Sequence, residues 1–292
     1  MSQTLYVSDL DGTLLQSDAS LSSFSENCLR DLLADGVLFT VASARSVVAI
    51  QQMLRGLPLP LPVIEFNGAY LSDLSTGRHE IINALDSSVA AGVYEQVTAH
   101  GLTPLIASFN GTDDRVHYGV MLNEGMHWYL KDRLDHRDSR WRGATDNLAA
   151  SLQEQVVCLT TIAKEEVLAD LQATILEMHT GRVETHLFEN QYFPGWHWLT
   201  VHDHRATKDQ AIKTLTKSYG LADAQVVVFG DHINDLKMFA AADMAVAVGN
   251  AQAEVKACAD LVIGTNEEDS VVKFIRGHRQ NRRAPGTASM LG

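Results

Sequence analysis

The stretch Asp9-Leu10-Asp11-Gly12-Thr13 follows the apolar run Leu5-Tyr6-Val7, which predicts a short buried strand. The two carboxylates therefore lie where a strand ends and a loop begins, and the carboxyl end of a strand is where open α/β sheets build their sites. Successive side chains of an extended backbone point to opposite faces, so Asp9 and Asp11 share one face. Two carboxylates this close repel each other unless a cation lies between them or they take different protonation states.

A simpler interpretation of the same stretch is an Asx turn at the end of a strand, which is a common local structure. Gly12 lets the chain turn away without a side chain in the way, and both interpretations use that property. Because short motifs often match by chance, this stretch alone leaves both interpretations open.

The length and charge of the chain narrow the class of protein. Its 292 residues suit one large or two ordinary domains, and we expect two. The 23 lysines and arginines against 36 aspartates and glutamates give a formal charge of −13, which argues against nucleic acid or an anionic membrane as partner. A divalent cation fits this charge better. No apolar run approaches the roughly 20 residues that cross a bilayer, so we expect a cytoplasmic protein.

The three cysteines, Cys28, Cys158 and Cys258, are far apart and odd in number. None has the spacing of a CxxC or CxxH site, so neither a disulfide framework nor a zinc site is indicated. We expect reduced, partly buried thiols.

Strand and helix patterns alternate at both ends of the chain. A βαβαβ pattern covers roughly residues 5–65, and after residue 208 helices and strands alternate again. This alternation predicts an α/β fold with a parallel, doubly wound sheet, interrupted by one inserted domain. The predicted domains are a core of residues 1–83 and 197–276, an insert of residues 84–196, and a basic tail of residues 277–292 that we expect to be disordered.

The insert differs in composition from the core. All four tryptophans fall between Trp128 and Trp198, and nine of the twelve histidines fall between His100 and His204. Its mixed helix and strand patterns predict an α+β domain. Two interpretations are open. These side chains could line a substrate pocket, or most of them could be ordinary core aromatics and half-exposed histidines. Residues 202–205 precede Lys208, and we expect either a functional hinge or a plain linker there.

Further polar residues follow other predicted strands of the core. Asp231 follows the strand Val226-Val227-Val228-Phe229, and Asn234 and Asp235 lie in the first turn of the next helix, where free N–H groups suit an anion and carboxylates suit a cation. Lys208 begins a helix, which is unfavourable unless something anionic is nearby. Ser43 offers a hydroxyl after the second strand. Together these residues suit a hard metal ion, a phosphoryl oxygen and an attacking carboxylate.

At these residues the sequence resembles the phosphatases of the haloacid dehalogenase superfamily. Within it, the sequence is similar to the Cof-like subfamily IIB, whose C2B-type cap domain lies between the second and third motifs. The resemblance covers about residues 5–275 and implies a Rossmann-like core with the cap at residues 84–196. The matching motifs are Asp9-Leu10-Asp11-Gly12-Thr13, then Ser43, then Lys208, then Gly230-Asp231 with Asn234, Asp235 and Met238, and the subgroup signature Asn67-Gly68-Ala69.

The resemblance also implies roles for these residues. Asp9 would attack phosphorus and become an aspartyl-phosphate, while Asp11 would protonate the leaving alcohol and then activate water. Mg²⁺ would be the cofactor, because few carboxylates with waters and a phosphate oxygen make its usual shell. The implied metal site comprises Asp9, Asp11 through its main-chain carbonyl, Asp231 and, as a support, Asp235; the implied catalytic and phosphate-binding residues add Lys208, Ser43, Ala44, Asn67 and Asn234.

Three residues depart from the family pattern. Ala44 stands where glycine is usual, Asp209 follows Lys208 where glycine is usual, and His232 stands where asparagine is frequent. No departure removes a catalytic group, although each bears on substrate fit or metal affinity. A carboxylate in the first turn of a helix, as at Asp209, is favourable by itself. For His232 we expect contact with solvent or with the surroundings of the metal, because an oxygen-rich Mg²⁺ site seldom recruits imidazole.

The predicted function is a Mg²⁺-dependent phosphatase acting on a small phosphorylated metabolite, such as a sugar phosphate or a similar phosphomonoester. We expect it to work as a monomer or a homodimer. One alternative is a phosphomutase or a narrow sugar-phosphate phosphatase of the same architecture. Another is a binding protein that senses phosphorylated metabolites without turnover. The pair Asp9 and Asp11 argues against this last alternative, because binding needs no general acid.

Overall fold

The computed structural model describes residues 3–54, 56–190 and 192–283. The chain forms two compact units. The core unit comprises Met1–Ile81 and Lys208–Gly292, and the inserted unit comprises Ile82–Thr207. Strands and helices are numbered here in chain order.

The core unit is built on a parallel sheet of five strands. Leu5, Val7, Val227 and Val228 are fully buried, as expected for parallel strands that are covered on both faces. The first strand lies inside the sheet, with Val7 between Val228 on one side and Thr40 on the other. The strands are β1 (Thr4–Ser8), β2 (Leu38–Val41), β11 (Gln225–Gly230), β12 (Met244–Ala247) and β13 (Leu261–Val262), in the spatial order β13-β12-β11-β1-β2.

The carboxyl ends of these strands carry the polar residues that the sequence singled out. Asp9 directly follows β1, Asp231 directly follows β11, and Ser43 comes two residues after β2. Since the strands are parallel, these three residues lie along one edge of the sheet.

Helices connect the strands of the core unit. The first of them begins after Ser22, whose hydroxyl oxygen accepts the backbone N–H of Ser25 at 2.9 Å and so caps the helix. Its buried residues Leu29 and Leu32 pack into the core. The helices are α1 (Ser23–Ala34), α2 (Val47–Leu54), α6 (Lys208–Ser218), α7 (Leu236–Ala241), α8 (Ala253–Ala257) and α9 (Ser270–Arg283).

The last helix is longer than predicted. The predicted core ended at residue 276, and residues 277–292 were expected to be a disordered tail, but α9 continues to Arg283. Residues 277–283 are therefore helical, which corrects that part of the prediction. Residues 284–292 lie outside the described part of the chain.

Two side chains hold the added part of α9 against the core unit. The ring nitrogen Nδ1 of His278 lies 2.9 Å from the hydroxyl of Tyr6, a residue of β1. The guanidinium of Arg279 donates to the carboxylate of Asp35 at 2.7 Å and to its backbone carbonyl at 2.6 Å. The basic segment that we expected to be disordered thus contains an arginine, Arg279, that binds α9 to the core unit.

A small antiparallel sheet, also in the core unit, follows α2. Its strands are β3 (Val63–Glu65), β4 (Tyr70–Ser72) and β5 (His79–Ile82), in that spatial order. Ile64 forms a parallel bridge with Ala42, so this sheet continues from the β2 edge of the main sheet. The turn between β3 and β4 contains Phe66 and Asn67, both with positive φ, at 47° and 55°.

The inserted unit contains an antiparallel sheet of five strands. One face of the sheet packs on helices through buried residues such as Leu159, Leu171 and Val201. The strands are β6 (Leu105–Phe109), β7 (Asp114–His117), β8 (Gln155–Ala163), β9 (Val183–Glu189) and β10 (His197–Asp203), in the order β7-β6-β8-β10-β9, and the helices are α3 (Ser87–Ala99), α4 (Glu124–Asp135) and α5 (Glu165–Met178). The predicted fold class, a parallel α/β core with an α+β insert, is confirmed.

The tryptophans of the inserted unit are mainly core residues. Trp198 is 5% exposed and packs with Ile162 and Met126, and the other three tryptophans are partly buried against the same cluster. The ring of Trp128 lies at 6.5 Å and nearly perpendicular to that of Trp198. Of the two interpretations of these aromatics, the structure supports core packing.

The inserted unit is also larger than the predicted range of residues 84–196. The reason is β10, which pairs in antiparallel register with β8 and β9, so that Val201 lies opposite Leu159 and Thr185. His202 and Asp203 are therefore buried residues of a strand and do not form a linker.

The structure also bears on two expectations from the sequence, the absence of membrane-spanning segments and the state of the cysteines. Within residues 3–54, 56–190 and 192–283, no helix has both the length and the apolar character needed to cross a bilayer. The three cysteines are free thiols; Cys28 and Cys158 are buried, and Cys258 is exposed.

Candidate active site

Three carboxylates meet at the carboxyl edge of the parallel sheet. One oxygen from each of Asp9, Asp231 and Asp235 lies within 4.8 Å of the others, and among the described residues this is the group of acidic and metal-ligating side chains that fits an ion. Asp9 is held at the end of β1 by its backbone N–H, which donates to the carbonyl of Phe229 at 2.9 Å.

Lys208 lies against this cluster. Its Nζ donates to Oδ1 of Asp9 at 2.6 Å and to Oδ1 of Asp235 at 2.7 Å. Burial disfavours the charged amine, but the carboxylates of Asp235 and Asp9 outweigh it and raise the pKa of Lys208. The lysine that begins α6 therefore has the anionic neighbours that its position required.

Asp235 accepts hydrogen bonds both from Lys208 and from the backbone of the loop that precedes Asp235 in the chain. Its Oδ2 accepts the backbone N–H groups of Asp231 at 3.0 Å and His232 at 3.1 Å. A Cβ at Gly230 would lie 2.5 Å from that same oxygen, so a glycine is needed there. Because both oxygens of Asp235 have partners inside the protein, its geometry suits the support of the cluster better than direct contact with an ion.

Asp231 lies at the more open side of the cluster. Its Oδ1 accepts the hydroxyl of Thr13 at 2.8 Å. Burial raises the pKa of Asp231 to about 6, the bond from Thr13 opposes this shift, and the charge of Asp235 adds to it. Gly12 has a φ of +72°, and a Cβ there would lie 2.5 Å from Oδ2 of Asp231. The glycine thus permits a close approach as well as the turn.

The charge balance of the cluster favours a divalent cation. Three carboxylates against one ammonium leave a charge of 1 − 3 = −2. Burial raises the pKa of Asp9 well above its ordinary value; Lys208 lowers it, and the carboxylates of Asp235 and Asp231 raise it further. A cation that prefers oxygen ligands would relieve the repulsion among the three carboxylates, and every ligand atom that they offer is an oxygen. The residues present therefore fit a divalent metal ion.

Asp11 lies outside this cluster and is bound by Arg45. The guanidinium donates twice, from Nε to Oδ2 at 2.7 Å and from Nη2 to Oδ1 at 2.6 Å. The side chain of Asp11 is 34% exposed and that of Arg45 is 20% exposed. Arg45 was not among the predicted site residues. The sequence signal that could have identified Arg45 is its position, two residues after Ser43, in the loop that follows β2.

The predicted phosphate-binding residues come together beside Asp11. The hydroxyl oxygen of Ser43 accepts the backbone N–H of Arg45 at 3.1 Å, and its carbonyl accepts the N–H of Asn67 at 2.9 Å. The amide of Asn234 donates to Oδ1 of Asn67 at 3.3 Å. Ala44 is exposed in the same loop, so its methyl group does not fill the core.

The other two departures from the family pattern lie beside the cluster. Asp209 is in the first turn of α6, where a carboxylate is favourable, and it accepts a bond from Gln210 at 3.0 Å. His232 contributes its backbone N–H to Asp235. Asn250 was not among the predicted site residues; its side-chain amide donates to the carbonyl of Gly12 at 2.7 Å.

The model of the haloacid dehalogenase-like hydrolases matches residues 6–275 of this chain. The chain belongs to this family. The predicted resemblance is thereby confirmed, and so is the predicted class of enzyme, a phosphoric monoester hydrolase of the haloacid dehalogenase superfamily.

Curated relatives and solved structures agree with this assignment. The chain is 25% identical over 273 residues to the 5-amino-6-(5-phospho-D-ribitylamino)uracil phosphatase YitU of Bacillus subtilis, which covers 92% of this chain and 94% of the relative. It is 28% identical over 280 residues to the pyridoxal phosphate phosphatase YbhA of Escherichia coli, with 92% and 96% covered. A haloacid dehalogenase-like hydrolase from Bacteroides thetaiotaomicron shares the fold, with a TM-score of 0.75 at 23% identity over 94% of this chain and 99% of the other.

Proposed function

We propose that this protein is a Mg²⁺-dependent phosphatase that hydrolyses a small phosphorylated metabolite through an aspartyl-phosphate at Asp9. The observation that carries the proposal is the position of Lys208, whose Nζ bridges Asp9 and Asp235 beside Asp231. A buried nucleophile next to a fixed cation and an ion-binding cluster is the arrangement that phosphoryl transfer needs.

In the first half-reaction the carboxylate of Asp9 attacks phosphorus and the ester P–O bond breaks. Asp11 gives its proton to the departing alkoxide, so that a neutral alcohol leaves. In the second half-reaction Asp11 takes a proton from water, the water oxygen attacks phosphorus, and Asp9 is released as a carboxylate with inorganic phosphate. Mg²⁺, bound by Asp9, Asp231 and the carbonyl of Asp11, would supply screening between the nucleophile and the phosphate.

Arg45 orients Asp11 for these transfers. The bidentate guanidinium of Arg45 fixes both oxygens of the Asp11 carboxyl group. These two bonds therefore hold the Asp11 carboxyl group in one orientation. The phosphoryl oxygens would be held by Lys208, the hydroxyl of Ser43, the backbone at Ala44, and the amides of Asn67 and Asn234.

The substrate is a phosphomonoester, and the inserted unit would act as the cap that selects it. The core residues would contact the phosphoryl group and the metal, which all substrates share, so selection has to come from elsewhere. The relatives named for a phosphoribitylamino-uracil and for pyridoxal phosphate make these two compounds the first ones to test.

The test is a panel of phosphorylated metabolites assayed for inorganic phosphate with Mg²⁺ and with EDTA. The panel includes the two compounds above and several sugar phosphates, and Asp9→Asn serves as the matched control because its amide is nearly isosteric. We expect phosphate release that requires Mg²⁺ and falls by about 10⁴ or more in Asp9→Asn, which cannot form an acyl phosphate. Isomer formation without phosphate release would support the phosphomutase. Equal activity of Asp9→Asn and the natural protein would remove Asp9 as the nucleophile.

A further inference from the structure

The small sheet of the core unit contains a buried polar group that the proposed mechanism does not use. Glu65 and Ser72 are fully buried, and the side chain of His79 is 4% exposed. A carboxylate inside a core is costly unless hydrogen bonds or charges satisfy it. The partners of Glu65 therefore indicate what the residue does.

Both oxygens of the Glu65 carboxylate have partners. Oε2 accepts the backbone N–H of Val47, the first residue of α2, and Oε1 accepts the hydroxyl of Ser72. Nδ1 of His79 lies 2.6 Å from the hydroxyl oxygen of Ser72 and 3.2 Å from Oε1 of Glu65. Because the single proton of Ser72 goes to Glu65, Nδ1 of His79 is the donor to Ser72. The ring of Tyr70 stacks on His79 at 4.0 Å and fixes its plane.

Glu65 belongs to a segment that holds the catalytic loop along its length. The N–H of Ser43 donates to the carbonyl of Ile64 at 2.9 Å, and the N–H of Phe66 donates to the carbonyl of Arg45 at 3.2 Å. Glu65 adds the last contact, at Val47. The loop of residues 43–47 is thus bound at its start, in its middle and at its end by residues 64–67.

The contact at Val47 is the only one of these made by a side chain, and it carries charge. A negative group at the start of a helix is stabilised by the free N–H groups and by the helix dipole, which offsets part of the burial cost of Glu65. Arg45, two residues before Val47, holds Asp11 by bonds of 2.7 and 2.6 Å. A shift at the start of α2 would therefore move the guanidinium that aligns Asp11.

We propose that Glu65, held by Ser72 and His79, is a positioning residue for the general acid. It fixes the start of α2 so that Arg45 presents Asp11 at the angle needed for proton transfer. The inference rests on the proposed function for its kinetic consequence, whereas the anchoring of the loop is independent of it. It assigns a role in the reaction to a group that touches neither substrate nor metal.

The kinetic consequence depends on the leaving group. An alkoxide needs a proton from Asp11 as it departs, while p-nitrophenolate needs little help. The ratio kcat/KM reports only on the steps up to the first irreversible one. When phosphorylation of the enzyme is irreversible, kcat/KM therefore reports on Asp11 as the acid and not on Asp11 as the base of the later hydrolysis. Glu65→Gln and Ser72→Ala should lower kcat/KM about tenfold for an alkyl phosphate and less than about threefold for p-nitrophenyl phosphate.

Thr40→Val is the matched control. Thr40 is fully buried in the neighbouring strand, and its hydroxyl donates to the carbonyl of Pro62 at 2.7 Å, so the variant also loses a buried hydrogen bond. We expect it to lower stability without changing the ratio of alkyl to aryl rates. Adding Glu65→Gln to Arg45→Ala should leave that ratio nearly unchanged, because the residue through which Glu65 acts is already gone.

Hydrogen exchange of the substrate-free protein tests the anchoring without any turnover. Peptides that cover residues 43–50 should exchange faster in Glu65→Gln and in Ser72→Ala than in Thr40→Val. Ser72→Ala keeps the carboxylate, so it serves if Glu65→Gln fails to fold. An unchanged ratio of rates, an equal change of that ratio in Thr40→Val, or unchanged exchange would overturn the inference. A natural protein that is inactive on every ester would instead contradict the proposed function, and exchange would still decide the anchoring.

Discussion

Nζ of Lys208 lies 2.7 Å from Oδ1 of Asp235, and neither side chain is more than 1% exposed. An ion pair this deeply buried is stable only while both charges remain, because the loss of one partner leaves the other without compensation. Asp235 also accepts two backbone N–H groups through its second oxygen. The pair therefore joins the start of α6 to the loop after β11.

The first prediction concerns Asp235→Asn. The amide nitrogen would face either Lys208 or the N–H groups of Asp231 and His232, so one donor would oppose another. We expect a loss of about 3–5 kcal/mol in the free energy of unfolding, measured by urea titration with circular dichroism. Asp223→Asn, at an exposed position, is the control and should change this free energy by less than about 0.5 kcal/mol. Equal stabilities of the two variants would contradict the role given to the pair.

The second prediction concerns Gly12→Ala. The added Cβ would lie 2.5 Å from Oδ2 of Asp231 and displace a proposed metal ligand. We expect the Mg²⁺ concentration for half-maximal phosphate release to rise by about tenfold or more. Gly36→Ala is a close control, because Gly36 has a similar φ of +77° but no atom within 4 Å of the added Cβ. It should cost about 1 kcal/mol of stability and leave the Mg²⁺ requirement unchanged. If both variants need the same Mg²⁺ as the natural protein, Asp231 is not a ligand.

The third prediction concerns the acid stability of the inserted unit. Burial lowers the pKa of His202 to about 3, with a further contribution from His186, so the folded protein holds this ring neutral. The unfolded chain takes up the proton near pH 6.5, so the stability from the neutral ring is complete above that pH. It should be lost as the pH falls from about 6.5 to about 3, by up to about 1.36 kcal/mol per pH unit.

Urea unfolding followed by tryptophan fluorescence checks this prediction, because all four tryptophans lie within residues 128–198 of the inserted unit. His202→Gln should flatten the dependence of stability on pH. His136→Gln changes a histidine whose side chain is 64% exposed and should keep the dependence of the natural protein. The same slope in His202→Gln and the natural protein would show that His202 does not cause the acid sensitivity.

The fourth prediction concerns the end of α9. Truncation after Arg276 removes the contact of His278 with Tyr6 and the ion pair of Arg279 with Asp35. We expect the free energy of unfolding of the core unit to be about 1–3 kcal/mol lower than after truncation behind Gln280, which keeps both contacts. Thermal unfolding of the two shortened proteins beside the full chain measures the difference. Equal melting temperatures of both shortened proteins would contradict the docking.

The sequence predicted the parallel sheet and the polar edge because both follow from short-range patterns. Strand β1 contains the apolar run Leu5-Tyr6-Val7, and Asp9 directly follows the strand, so no long-range information was needed. Lys208 was also predictable, since a lysine at the start of a helix requires an anionic neighbour.

The parts that the sequence did not predict depend on contacts between distant residues. Arg45 is 34 positions from Asp11, and nothing local joins them. Strands β4 and β5 have three and four residues, too few for a clear periodicity, so the role of Glu65 was hidden. Strand β10 shows no alternation of buried and half-exposed residues, and its place in the inserted unit follows from its pairing with β8 and β9.

The main sheet ends on one side in β13, a strand of only two residues, and on the other side it is continued by the bridge from Ala42 to Ile64. An unpaired strand edge is where identical molecules can join by backbone hydrogen bonds and begin to aggregate. A two-residue edge offers few such bonds, although Leu261 and Val262 are 44% and 46% exposed. Lengthening β13 with further β-branched residues should therefore make the protein precipitate at lower concentrations, without any change in its active site.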